Sequence, residues 1–320
     1  LIFAAMIFKQ FKENNPISMI AIPLLVGIAL IPSFFKAAGL IKSSTYLIPF
    51  LEQDLPTYFL LSVSGIVITL SAILMGITFN RNAFYERNTY VAPVIFALLS
   101  VFSLRFHANP KIHVANLLLV FSLMQLFKLH NSEKWKGIVF NIGFLLGIAA
   151  LFAPISILVF LGFFIAIIVL KGFHLKQMIL YILGGLVPFF YVWTYQVWTN
   201  GHINFEFFFQ YKSLSPYFSR ISWIEYASYG ILVVLVFIGL LASNLNRFNS
   251  IKFKEKSRSI ITILLISAIG IIIFKFLHIG SDQPILLIPF TTILLSTAAL
   301  TKKLARITNL LLYILTGLFI

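Results

Sequence analysis

The chain has 320 residues, of which 60% are hydrophobic and only 10% charged, and its mean hydropathy is +1.00; a soluble domain carries ~25% charged residues. Its 24 Lys and Arg against 9 Asp and Glu leave a net charge of +15, but these cations scatter through loops without interleaved aromatics, which argues against nucleic acid and for anchors to lipid head groups. The absence of cysteine excludes disulfides, thiolate zinc sites and a cysteine nucleophile.

Met6 has the form of a natural start, with Leu1–Ala5 upstream of it, and residues 1–16 make a short terminus carrying Lys9 and Lys12. Apolar runs of about 17 to 22 residues follow to the end of the chain; a helix rising ~1.5 Å per residue needs about 20 to cross ~30 Å of hydrocarbon. The predicted spans are 17–36, 58–79, 90–104, 113–129, 136–152, 154–170, 177–198, 225–243, 259–277, 284–300 and 307–320. They imply an all-α polytopic transmembrane helical bundle of about 11 spans in one membrane domain. No stretch remains for a soluble domain of ~50 residues. The first span is no cleavable signal, since spans of the same kind succeed it. The last run stops at Ile320 after about 14 residues, so the C-terminus reads as truncated within a span.

The loops hold the polar chemistry. The first, 37–57, contains Lys42, Glu52, Asp54 and two prolines. Carboxylates separated by one residue can hold a divalent cation or act as a general base on a hydroxyl. Equally, Asp54-Leu55-Pro56 has the form of a helix N-cap followed by proline. The next loop on that side brings Arg105, His107, Lys111 and His113; the histidines straddle Pro110 without helical spacing, which disfavours a metal site. Ala153-Pro154 joins two spans without a polar loop and predicts a tight hairpin, because proline breaks the helical ladder. The rival, one long kinked span, would invert everything downstream.

Residues 199–224 are too aromatic for a solvated linker and predict a helix lying in the interface, with Lys212 and Arg220 reaching phosphates. Residues 244–258 read as a basic loop. Beyond it, Lys275 can pair with Asp282 across a short loop that also holds His278, and Glu225 sits where a helix start favours a carboxylate. Mid-span polar groups are limited to residues such as Ser64, Thr69, Ser71, Asn141 and Ser156, while Gly143 and Gly147 read as a packing face.

The loops also set the orientation. Lys9, Lys12, Arg81, Arg87, Lys128, Lys134, Lys136, Lys171, Lys176, Arg247, Lys252, Lys254, Lys256, Arg258, Lys302, Lys303 and Arg306 fall on the N-terminal side. Only Lys36, Lys42, Arg105, Lys111, Lys212, Arg220 and Lys275 fall opposite. Seventeen against seven predicts a cytoplasmic N-terminus. Loops 37–57 and 199–224 are then periplasmic, and 244–258 cytoplasmic.

With that orientation, Glu52-x-Asp54 in the loop after the first span resembles the acidic pair of GT-C-class membrane glycosyltransferases, which use polyprenyl-phosphate-linked sugars. Asn141-Ile-Gly143 through Gly147 and Ala149 to Pro154 is similar to a glycine-rich span of that class, and Gly184-Gly185-Leu-Val-Pro188 with Tyr191, Trp193 and Tyr195 to a later one. The likeness covers about residues 17–200. The first loop is shorter than usual in the class, and the second outward loop lacks an acid. The chain also resembles a family of Bacteroidota integral membrane proteins, low in cysteine and rich in Phe, Ile, Lys and Asn, a likeness that assigns no activity.

The glycosyltransferase resemblance implies sugar transfer to an envelope acceptor at the outer face of a bacterial inner membrane. Asp54 or Glu52 would be the base, with a divalent cation an option at the pair. Arg105, Lys111, Arg220, Lys275 and His278 would face the lipid phosphate, with His107 and His113 nearby. Each of these cations also reads as a side chain snorkelling from a span end. Two alternatives stand beside the enzyme: a transporter or lipid flippase, which scarce mid-span charge disfavours, and a non-catalytic subunit of an envelope assembly or secretion complex.

Overall fold

The computed structural model describes residues 11, 17–37, 43–48, 51–55, 57–85, 87–106, 110–131, 135–201, 234, 237–241, 251–276, 286–300, 308 and 310. Its elements are α1 (Ile17–Ala37), β1 (Ser43–Ile48), β2 (Leu51–Leu55), α2 (Thr57–Arg81), α3 (Val91–Phe106), α4 (Pro110–Asn131), α5 (Trp135–Phe152), α6 (Ser156–Lys171), α7 (Leu175–Asn200), α8 (Ile251–Phe276) and α9 (Ile288–Leu300). Each helix falls on a predicted span. Of spans 225–243 and 307–320, only 234, 237–241, 308 and 310 are described, all of them helical. The aromatic stretch beyond Gly201 and the first sixteen residues other than Phe11 lie outside the described residues.

Tyr58–Arg81, Pro110–Leu129, Trp135–Phe152 and Leu175–Thr199 are long and apolar enough to cross a bilayer, which fits a membrane protein. Their surfaces agree with that reading. Ile157, Leu161, Ile165 and Val169 on α6 recur every four residues and are exposed, a stripe that favours hydrocarbon over water. Within α2, hydroxyls turn back onto the helix: Ser62 donates to the Tyr58 carbonyl (2.9 Å), Ser64 to Leu60 (2.9 Å), Ser71 to Val67 (2.7 Å) and Thr78 to Leu74 (2.8 Å). Such bonds satisfy the side chain where no water can.

Helix directions follow from the close contacts. Gly143 of α5 stands against the Tyr181 carbonyl of α7 and Gly147 against that of Gly185, so four residues along one helix match four along the other. The two run parallel. Phe160 of α6 meets Gly185, whereas the Phe164 ring lies 5.8 Å from that of Tyr181, so α6 runs opposite to α7. Helices α5 and α6 are therefore antiparallel, and Ala153–Ile155 is the expected hairpin. There the Ser156 amide donates to Ala153 (2.8 Å) and that of Ile157 to Pro154 (3.1 Å), a three-residue spacing that replaces the helical ladder. Gly162 meets the Ile263 backbone and Gly270 meets Leu158, so α8 runs antiparallel to α6.

One end of the bundle collects the C-termini of α2, α4 and α6 and the N-termini of α3, α5, α7 and α8. The ring of Phe84, just past α2, lies 5.3 Å from Phe127 of α4, and Lys256 of α8 reaches Asn82. Arg81, Arg87, Lys128, Lys136, Lys171, Lys176, Lys252, Lys254, Lys256 and Arg258 belong to this basic end. Lys36, Arg105, Lys111 and Lys275 belong to the opposite end, where β1 and β2 join α1 to α2. Between the ends, α9 is buried at every residue and packs on α3 and α8. Its polar side chains also bond inside the helix, Ser296 to the Thr292 carbonyl (2.6 Å) and Thr297 to Leu294 (2.7 Å).

Three local expectations change. The stretch 37–57 holds an antiparallel hairpin, where Ser43, Ser44 and Thr45 pair with Leu55, Asp54 and Gln53; Thr, Tyr and Ile in β1 favour extended backbone. Asp54 is no N-cap, because it sits in β2 and α2 begins at Thr57. The second half of the basic stretch 244–258 is helical from Ile251, as Lys and Glu permit.

Candidate functional site

Glu52 and Asp54 occupy alternate positions of β2, which puts both on one face of the strand. Asp54 pairs with Ser44 in the ladder, and the register shifts between Thr45 and Ile48, opposite the part of β2 that holds Glu52. A shift of this kind re-aims side chains beside it. The hairpin thus gathers two acids at the end of the bundle opposite the basic one.

The predicted phosphate ligands are distributed around that same end. Arg105 is in the last turn of α3, Lys111 in the first turn of α4 and Lys275 in the last turn of α8. Lys111 is half-buried. Three separate helices therefore carry these cations to the level of the acidic strand. Arg220 and His278 lie outside the described residues, as does His107. Among the described residues, no group of three or more His, Asp or Glu is placed to hold a metal ion.

Some polar groups are more deeply placed than sequence reasoning suggested. His113 and Asn116, one turn apart on α4, are both 1% exposed. Pro110 starts the helix and so turns His113 into the bundle, where the sequence suggested a loop; the three-residue spacing is the signal that pairs them.

At the basic end, Asn80 clamps the turn after α2: its side-chain amide donates to the Thr89 carbonyl (3.1 Å) and its carbonyl oxygen accepts from the Thr89 amide (3.1 Å). Lys256, only 7% exposed, donates to Asn82 Oδ1 (3.2 Å) and lies 6.0 Å from the Phe127 ring. The backbone of Phe11 accepts from Tyr90 (2.9 Å) and fastens the N-terminal segment to the same place. This network builds the end that faces away from the acids.

No family model matches the chain, and neither a curated protein nor a solved structure matches it.

Proposed function

We propose that the chain is a multi-pass protein of a bacterial inner membrane, with about 11 spans and a cytoplasmic N-terminus. It moves a sugar from a polyprenyl-phosphate donor to an envelope acceptor at the periplasmic face. One observation carries the reading: Glu52 and Asp54 share a strand at the end of the bundle opposite the basic loops. Under the positive-inside rule that end is periplasmic, where lipid-linked donors present their sugars.

In this mechanism Asp54 or Glu52 takes the proton of the acceptor hydroxyl. The freed oxygen attacks the anomeric carbon, and the bond from that carbon to the phosphate oxygen breaks. Its electron pair stays on the lipid phosphate. Arg105, Lys111 and Lys275 share that end and supply positive charge, Arg105 with a fork that suits phosphate; Arg220 and His278 are assigned the same part from sequence. The carboxylate pair also offers the hard oxygen donors that a divalent cation prefers. Glu255 is the only Asp or Glu in the described helices, near the start of α8, which weighs against an ion-coupled transporter.

The test is transfer from a radiolabelled polyprenyl-phosphate sugar in membranes containing Glu52→Gln or Asp54→Asn. Removing the base is expected to lower the rate ~10²- to 10⁴-fold with insertion and protein level unchanged. Full biological activity in both variants would instead favour the non-catalytic subunit.

A further inference from the structure

Helices α1 and α2 leave an apolar groove of about 480 Å³ between them, open to the side, a volume typical of ligand pockets. Its origin is a pair of small faces. Pro23 and Gly27 lie one turn apart on α1, and Ser62 and Gly65 line the facing surface of α2. A Cβ placed on Gly27 would meet no atom within 4 Å.

The lining is chemically hydrocarbon, despite two hydroxyls. Ser62 Oγ donates to the Tyr58 carbonyl (2.9 Å) and Thr69 Oγ1 to that of Gly65 (2.9 Å), so both are spent within α2. The mouth is flanked by exposed Leu24 and Ile28 of α1 and Ile66 and Leu70 of α2, a surface suited to the bilayer interior. Length narrows the occupant further. From Ser62 to Ile73 the groove runs ~16 Å at ~1.5 Å per residue, about half of the ~30 Å hydrocarbon thickness. It lies in the half of α2 nearer the hairpin. A spanning helix would overrun so short a slot, whereas a lipid chain of one leaflet matches it.

We infer that this groove holds one acyl chain of a bilayer phospholipid from the leaflet on the hairpin side. An empty furrow would leave its lining atoms without dispersion partners, and a hydrocarbon chain restores them. The inference is independent of the catalytic reading.

The test uses the full chain reconstituted in phospholipid vesicles doped with a phospholipid carrying a diazirine in its acyl chain. After irradiation, adducts are mapped by mass spectrometry. Adducts are expected to concentrate on the groove rather than on the exposed α6 stripe from Ile157 to Val169. Gly27→Leu, which fills the open space, is expected to lose the groove adducts while the stripe adducts and the melting temperature stay unchanged. Equal labelling of groove and stripe in the wild-type chain overturns the proposal. So does persistence of groove adducts in Gly27→Leu, or displacement of the label by polyprenyl phosphate, which would give the groove to the donor's chain. The wild-type map decides even if the variant folds poorly.

Discussion

Asn80 illustrates how a single side chain can stand in for missing backbone partners. The turn between α2 and α3 cannot continue either helix, and the Asn80 amide fills both roles for Thr89, donor and acceptor. Asn80→Ala leaves both Thr89 backbone groups without that partner, so the expected cost is about 2 kcal/mol, read as a lower melting temperature in detergent. Tyr181 offers a smaller and cleaner case. Its hydroxyl donates to the Phe160 carbonyl at 2.7 Å, and the ring is fully buried between α5 and α6. Tyr181→Phe keeps the ring and deletes the bond. Hydrogen bonds between membrane helices average ~0.6 kcal/mol and reach ~1.7, so Tyr181→Phe should cost about 1 kcal/mol in a denaturant titration. Neither partner was legible in the sequence, because both bonds join residues that only the folded chain brings together.

Helices were legible because the length of an apolar run reports directly on the thickness it must cross. The hairpin was not: Leu51-Glu52-Gln53-Asp54-Leu55 does not alternate apolar and polar residues, and prolines flank it on both sides. The acidic pair could be seen as letters, while its placement on one strand face needed the register with β1. Glycine spacing was a better guide. Gly143 and Gly147 were readable as a packing face, and they do meet the backbone of α7. Two glycines of this chain should therefore respond in opposite ways. At Gly147 an added Cβ collides with the Gly185 carbonyl, and α5 and α7 cannot separate without losing their interface. Gly147→Leu is expected to cost about 3 kcal/mol through overpacking and to reduce the yield of monodisperse protein on gel filtration. At Gly27 an added Cβ meets open space, and Gly27→Ala should leave yield and melting temperature unchanged.

At the scale of the whole molecule, the alternation of helix directions sorts charge by end. Among the described residues ten Lys and Arg belong to one end and four to the other, with the acidic strand beside the four. The sequence allowed this tally only if Ala153–Pro154 reverses the chain, since a continuous kinked helix would have sent Lys171, Lys176 and the start of α8 to the opposite end. The parallel contact of α5 with α7 supplies the reversal independently of any charge. It cannot supply convergence of Arg105, Lys111 and Lys275 from sequence alone, because these sit on three helices whose spacing around the bundle is a tertiary property. What remains is to orient the two ends in a membrane, and the lack of cysteine makes the experiment direct. Gln53→Cys lies between the two acids on β2, and Phe173→Cys lies in the exposed turn between α6 and α7 at the basic end. In intact spheroplasts a membrane-impermeant maleimide is expected to label position 53 and to reach position 173 only after permeabilisation. The reverse pattern would place the carboxylates in the cytosol, away from any periplasmic donor, and the glycosyltransferase proposal would fail with them.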